Sequence, residues 1–396
     1  MVNRNPLKHT SRAESPARVV VAMSGGVDSS VAAALLVSQG YEVIGMMLRL
    51  WSEPGGASSN RCCTPDAMAL ARRVAAHLDI PFYVIDAQEI FNQTVVQFFL
   101  DGYAQGITPN PCLVCNRHIR WEFLLNHALS LGTRFMATGH YVRLLRANDG
   151  KLQILRALDP GKDQSYVLHI LGQKQLAHAL FPLGELTKPQ VRQLAREFGL
   201  PVAERSESQD LCFLGNGDMR GFLMRNIPQV QKPGPILNRK GEILGEHQGL
   251  AFYTIGQRKG LGLASPLPLY VLEKDLQQNA LIIGTQEELG WDELLASGVN
   301  WISGEPPAGS FQAQVKIRYK SLEVPATVTP LDQGQAYVKF YFPLRDITPG
   351  QAAVFYYGEF CLGGGIIQSE RAFSAREAIP SKSKARLLRE VRSQQL

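Results

Sequence analysis

Residues 22–30 read Ala22-Met23-Ser24-Gly25-Gly26-Val27-Asp28-Ser29-Ser30, between an apolar run and an alanine-rich run. Strand, glycine turn and helix start are a context in which a phosphate site is expected. Gly25 and Gly26 let the backbone bend and approach an anion closely. Ser24, Ser29 and Ser30 offer hydroxyls, and a helix N-terminus offers unpaired N–H groups at the positive end of its dipole. Asp28 repels phosphate, so its expected work is to cap the helix or hold Mg²⁺. No G-x-x-x-x-G-K-[ST] occurs in the chain, so the loop carries no lysine of its own. The competing reading is a glycine-rich turn that merely caps a core helix.

A second segment, residues 108–116, is Thr108-Pro109-Asn110-Pro111-Cys112-Leu113-Val114-Cys115-Asn116. Its prolines remove donors and stiffen the chain, so an ordered loop is expected rather than a helix. Cys112 and Cys115 in C-x-x-C spacing suit a redox dithiol, half of a metal site, or a nucleophile with its resolving partner. A zinc site needs two more ligands, for which Cys212 and His118 or His140 are available. Cys212 lies in Ser206-Glu207-Ser208-Gln209-Asp210-Leu211-Cys212-Phe213, where apolar neighbours also suit a plain core cysteine.

Such residues need a scaffold. A chain of 396 residues exceeds one ordinary core. Strand-like runs at 18–23, 42–48, 82–86 and 134–138 alternate with helix-like runs at 28–38, 65–78, 119–131 and 188–198. That alternation is the pattern of an α/β domain with a parallel sheet. Thr187-Lys188-Pro189 opens the last of these helices. Beyond about residue 213, glycine and proline become frequent. Short alternating runs at 269–273, 280–284, 312–319, 324–329, 336–342 and 352–356 suit β-rich domains, the last a small barrel. The expected division is an N-terminal extension (1–17), a nucleotide-binding domain (18–213), a central β-rich domain (214–285), a C-terminal β-barrel (286–375) and a basic tail (376–396). A net charge of +6 favours a polyanionic partner modestly. No apolar run approaches the ~18 residues that span a bilayer. The polar N-terminus lacks the apolar core of a secretory signal. Six scattered cysteines do not form a secreted disulfide framework, so thiols in the cytoplasm are expected.

The loop at 22–30 resembles the SGGxDS signature of the PP-loop ATP pyrophosphatases, which adenylate a substrate oxygen. With the segments at 110–116, 137–141, 162–166, 207–212, 233–236, 254–262, 316–319 and 349–365, the chain is identified as a member of the tRNA-uridine 2-sulfurtransferase (tRNA-specific 2-thiouridylase) family. The resemblance covers about residues 19–367. It implies a PP-loop domain, a small β-rich central domain and a tRNA-binding barrel. The implied reaction is 2-thiolation of the wobble uridine of tRNA for Lys, Glu and Gln, with ATP and Mg²⁺. By resemblance, Cys115 is the nucleophile, Cys212 accepts the persulfide, and turnover leaves a Cys115–Cys212 disulfide for a reductant. Ala22, Met23, Ser24, Gly25, Gly26, Val27, Asp28, Ser29, Leu48 and Gly139 match ATP positions. Asn110, Pro111 and Cys112 match the loop that meets the target base. His140, Lys162, Asp163, Gln164, Arg318, Tyr319 and Gln351 match tRNA contacts. The implied partners are tRNA and a sulfur donor, such as a cysteine desulfurase or relay protein, with the enzyme a monomer away from membranes.

One position departs from the family pattern: Cys112 stands where a well-known version has an acid–base Asp. A thiol, with an ordinary pKa near 8.5, is no simple replacement. An alternative is therefore a [4Fe–4S] route with Cys112, Cys115 and Cys212 as ligands. Two other classes remain at this level: another PP-loop ligase, and an RNA-binding or iron–sulfur assembly module.

Overall fold

Val19, Val20 and Val21 are fully buried in the first strand, β1 (Arg18–Ala22). Apolar residues on both faces suit a strand covered by helices on either side. The computed structural model describes residues 16–53, 64–206, 211–214, 218–345 and 347–369. Most of the expected N-terminal extension, Cys62 and Cys63, Glu207 to Asp210 and the basic tail lie outside the described residues.

β2 (Glu42–Arg49), β3 (Phe82–Asp86), β4 (Phe135–Thr138), the hairpin β5 (Val142–Arg146) and β6 (Leu152–Arg156), and the short β7 (Ala179–Leu180) follow. Five of these strands form a parallel sheet in the order β3-β2-β1-β4-β7. The order reverses at β1, which opens a crevice at the carboxyl ends of β1 and β4, where open α/β sheets bind ligands. Helices α1 (Val27–Ser38) and α2 (Pro65–His77) pack on one face through Val31, Ala33 and Val74, beside Val191 of the helix Lys188–Glu197. Trp121, Leu124, Tyr166 and Leu168 cover the other face. The fold class is the expected one: an α/β parallel-sheet domain followed by β-rich domains.

The expected helix at 119–131 begins earlier, and the proline segment is not a loop throughout. Pro111 takes the first position of the helical turn Pro111–Val114, where its missing N–H costs nothing. Asn110 caps that turn by accepting from Cys112 N at 3.2 Å. The helix then continues as a π-helical stretch, Cys115–Leu124, and as Leu125–Ser130. A further helical run (Gln88–Phe91, Asn92–Val96, Gln97–Ala104) fills the stretch between the expected strand at 82–86 and the proline segment.

The central sheet joins β8 (Gly234–Leu237), β9 (Ile243–His247), β10 (Tyr270–Asp275) and β11 (Ala280–Gly284) in the order β10-β11-β8-β9. The last six strands are β12 (Trp291–Trp301), β13 (Phe311–Lys316), β14 (Val324–Leu331), β15 (Gln335–Leu344), β16 (Ala352–Tyr357) and β17 (Phe360–Ile367). Pairing of β12 with β17 closes them into an antiparallel barrel. β17 also pairs with β6, Phe360 opposite Leu155 and Cys361 opposite Ile154. A hairpin from the first domain thus extends the barrel's sheet and fixes the barrel against the α/β domain.

Candidate active site

The turn between β1 and α1 is shaped by contact with α2. Gly25 sits at φ +71°, and a Cβ there would lie 2.2 Å from the carbonyl oxygen of Ala67. Only glycine fits both constraints. Gly26 is the N-cap of α1 and supplies no side-chain cap, which leaves the first N–H groups of the helix for an anion. Ser29 Oγ lies 3.3 Å from Ser24 Oγ and accepts from Ser24 N at 3.2 Å. Ser30 Oγ donates to Gly26 O at 2.8 Å and is fully buried, so it serves the turn.

Asp28 is not the cap. Its Oδ1 accepts from Tyr141 Oη at 2.7 Å and from Lys188 Nζ at 2.6 Å. Lys188 was legible only as a helix opener. It occupies the first position of the helix Lys188–Glu197, where a cation opposes the dipole. That mismatch is the sequence signal that could have singled it out. Arg205 is the second cation missed: its Nη1 donates to Gly25 O at 2.6 Å.

A cavity of about 580 Å³ opens at this crevice. Its wall includes Ala22, Met23, Ser24, Gly26, Val27, Asp28, Ser29, Leu48 and Gly139 from the expected nucleotide set. Cys115, His140, Lys162, Gln164 and Tyr319 share the same cavity, together with Arg120, Lys188 and Arg205. Met46, Met47 and Leu48, at the carboxyl end of β2, give it an apolar side. Gly139 closes the space behind α1, where a Cβ would lie 2.8 Å from Ser29 N.

Around Cys115 the side chains are ordered by the π-helical turn. Asn116 is buried, donates to Val167 O at 3.4 Å and accepts from Arg120 Nη1 at 3.1 Å. Arg120 also lies 3.4 Å from His140 Nε2. With Nε2 accepting, His140 Nδ1 carries the proton and donates to Thr138 Oγ1 at 2.8 Å. Burial, with Arg120 beside it, lowers the His140 pKa to about 3, so the ring is neutral. A buried neutral imidazole is a positioning element here rather than a phosphate-binding cation.

The other expected residues divide by position. Tyr319 is 38% exposed, and its ring centroid lies 6.0 Å from that of Tyr166. Burial raises the Tyr319 pKa, with Asp163 and Cys112 adding to it. Asp163 is buried and accepts from Ala157 N, Ser165 N and Ser165 Oγ, so its carboxylate orders the fold. Gln164 Oε1 accepts from Tyr141 N at 3.0 Å. Arg318 reaches across to Ile255 O of the central domain at 3.0 Å and meets Thr348 Oγ1 within its own. Gln351 Nε2 donates to Thr108 O at 2.8 Å, bracing the segment that leads into Asn110 and Pro111. Cys112 is exposed and Cys115 buried. Cys212 packs at the edge of the apolar cluster that contains Cys115, Phe99 and Phe213. The structure therefore brings Cys115 and Cys212 to one cluster, with Cys115 alone of the expected cysteines lining the cavity.

Residues 17–216 match the family described as tRNA methyl transferase HUP domain. Residues 220–285 match the tRNA methyl transferase PRC-barrel domain, and 291–367 the aminomethyltransferase beta-barrel domain. A Magnetococcus marinus protein named tRNA-specific 2-thiouridylase MnmA is 49% identical, over 89% of this chain and 99% of that one. The chain belongs to the tRNA-specific 2-thiouridylase family. Family members of the same name from Pelotomaculum thermopropionicum (46% identical, 90% and 98% covered) and Geobacter metallireducens (48%, 89% and 97%) agree. A solved structure titled U34-tRNA thiolase NcsA from Methanococcus maripaludis with its [4Fe-4S] cluster is 20% identical, with TM-score 0.32, over 54% of this chain and 67% of that one. So slight a likeness says nothing of this chain's cofactor.

The expected cluster ligands do not fit a metal centre. Among the described residues, no group of three or more His, Cys, Asp or Glu side chains is placed to hold a metal ion. Cys112 faces solvent while Cys115 is buried, so the two thiols of the C-x-x-C motif meet different surroundings. The zinc alternative meets the same result: among the described residues, these cysteines are not grouped with His118 or His140.

Proposed function

We propose that the protein thiolates C2 of the wobble uridine (position 34) of tRNA for Lys, Glu and Gln, consuming ATP and a sulfane sulfur. The carrying observation is the single cavity that holds both the phosphate loop and Cys115. Met46, Met47 and Leu48 suit a purine base, and the open N-terminus of α1 suits the phosphates. Mg²⁺ carried with the nucleotide supplies charge neutralisation, and Asp28 is the carboxylate nearest to hand for it.

The uridine 2-oxo oxygen attacks the α-phosphorus of ATP, and the bond to the bridging oxygen breaks. Its electron pair leaves with pyrophosphate, and the uridine N3 proton goes to solvent. AMP now makes the C2 oxygen a good leaving group. Cys212, loaded as a persulfide by a donor such as a cysteine desulfurase or relay protein, attacks C2 through its terminal sulfur and expels AMP. The Cys115 thiolate then attacks the Cys212 sulfur, which releases 2-thiouridine and forms a Cys115–Cys212 disulfide. The sulfane sulfur is reduced, two thiols are oxidised, and a dithiol reductant resets the pair. Placement of both cysteines in one apolar cluster supports this exchange. Tyr319, at the cavity edge, offers a face on which an unstacked base can rest. The cluster-dependent route lacks such support, because among the described residues its three ligands are not grouped.

The test is nucleoside mass spectrometry of unmodified tRNA-Lys incubated with the protein, Mg-ATP, a cysteine desulfurase with cysteine as persulfide donor, and a dithiol reductant. ATP-dependent 2-thiouridine at the wobble position is the expected result. Bound tRNA that gains no sulfur, with the persulfide donor and reductant supplied, overturns the proposal.

A further inference from the structure

The phosphate loop holds no lysine, yet pyrophosphate departure places new negative charge at its mouth. The cavity wall supplies cations from elsewhere in the chain. Lys188 Nζ lies 2.6 Å from Asp28 Oδ1, and its side chain is only 10% exposed. Arg205 Nη1 lies 2.6 Å from Gly25 O, on the glycine turn itself. Both side chains line the cavity beside Ser24 and Ser29.

These two cations belong to one built unit. The helix Lys188–Glu197 is started by a capping box between Thr187 and Gln190. The Lys188 backbone N donates to Asp159 Oδ2 at 2.9 Å, which fixes where the side chain starts. Four residues on, Arg192 holds the returning segment through Ala203 O at 3.0 Å and Arg205 O at 3.2 Å. Helix stability does not explain a lysine at the first helical position, because the dipole disfavours it there. Nor does the turn's own shape require an arginine, since Gly25 is already fixed by its contact with Ala67.

We propose that Lys188 and Arg205 form the pyrophosphate-binding pair of the cavity, replacing the lysine that the loop lacks. The inference rests on the reading of this cavity as an ATP site. When the bond at the α-phosphorus breaks, the departing pyrophosphate takes the electron pair, and two nearby cations stabilise it more than they stabilise bound ATP. Before nucleotide arrives, Asp28 holds the Lys188 ammonium in the cavity wall.

The experiment is calorimetric titration of the full chain with Mg-ATP, AMP and inorganic pyrophosphate. It compares the wild type with Lys188→Met, Lys188→Arg and Arg205→Gln. Loss of one charge-assisted contact should weaken pyrophosphate and ATP by about tenfold or more in Lys188→Met and Arg205→Gln. AMP, which lacks the leaving group, should bind within about twofold of wild type, and Lys188→Arg should restore most of the pyrophosphate affinity. Should Lys188→Met fail to fold, Lys188→Gln and Arg205→Gln are read in the same way. Unchanged pyrophosphate affinity in the neutral variants, or equal losses for AMP and ATP, overturns the pair while leaving the ATP site intact. A wild-type protein that binds no Mg-ATP overturns the ATP reading itself, and the pair with it.

Discussion

Cys115 and Cys212 share an apolar cluster, but only Cys115 reaches the cavity. Under the proposed exchange each cysteine is indispensable for a different step. Replacement of either by alanine should abolish thiolation while tRNA binding, measured by filter retention, stays near wild type. Thiolation that persists in one variant removes that residue from the mechanism. Asp28→Ala should act earlier. It leaves Lys188 without its carboxylate and deprives the nucleotide of a nearby anion for Mg²⁺, so tRNA-dependent ATP–pyrophosphate exchange should fall by about 100-fold or more. Normal pyrophosphate release in that variant excludes Asp28 from adenylation. His140 gives a different kind of test. Its folded pKa, about 3, lies below the ordinary 6.5, so the unfolded chain binds more protons between those values. The neutral ring's contribution to stability is present above about pH 6.5 and is lost as pH falls toward 3, by up to about 1.4 kcal/mol per pH unit. His169, lowered to about 4 by burial, adds a second such slope. Urea midpoints measured from pH 7 to pH 4.5 should fall less steeply in His140→Gln than in wild type; parallel curves would show that His140 does not titrate as described.

The glycine turn has two independent reasons to be glycine: its φ of +71° and the 2.2 Å that would separate a Cβ from Ala67 O. Gly25→Ala must therefore move the turn away from α2. A cost of about 1–3 kcal/mol is expected from the backbone conformation alone. Thermal unfolding should report that loss, together with weakened ATP binding; an unchanged midpoint would mean that the turn relaxes freely. This element was legible because strand, turn and helix are local and contiguous. The parallel character of the first sheet was legible for the same reason, since strand-like and helix-like runs alternate along it. The proline segment was misread because Pro111, which forbids a helix interior, is favoured at its first position. β17 was missed because Gly363, Gly364 and Gly365 erase the alternation of a strand. A side chain at Gly363 would meet Asn300 O of β12 at 2.0 Å, so the glycines permit the closure of the barrel. Lys188 and Arg205 could not be placed by spacing, because 160 and 180 residues separate them from their partners in the loop.

At the scale of the whole molecule, chemistry on a tRNA base requires the barrel to stand in fixed relation to the cavity. Tyr319 and Gln351 belong to the barrel domain, yet one lines the cavity and the other braces Thr108. The registration comes from a shared apolar cluster, in which Ile302, Ala352, Val354 and Tyr356 of the barrel pack with Tyr166 and Leu168, and from polar contacts around it. β6 pairs with β17, Arg143 Nη2 meets Glu359 Oε1 at 2.6 Å, and Tyr166 Oη donates to Ala352 O at 3.0 Å. Arg156 carries the most: it forms a two-pronged pair with Glu323 and lies 4.0 Å over the ring of Tyr356. Arg156→Ala removes a bidentate ion pair and a cation–π contact together. A loss of about 1–3 kcal/mol is expected, concentrated at the junction rather than within either core. Calorimetry should then resolve separate unfolding of barrel and α/β domain, where wild type unfolds cooperatively. Thiolation should drop, because Tyr319 is no longer held at the cavity edge. ATP binding should persist, because the phosphate loop, Lys188 and Arg205 all lie in the first domain. Glu323→Ala should produce a milder form of the same pattern, since it removes the ion pair but leaves the contact with Tyr356, and the double variant should add little beyond Arg156→Ala. Equal loss of ATP binding and thiolation would instead place the effect of Arg156 within the first domain, and the barrel's registration would then rest on the β6–β17 ladder.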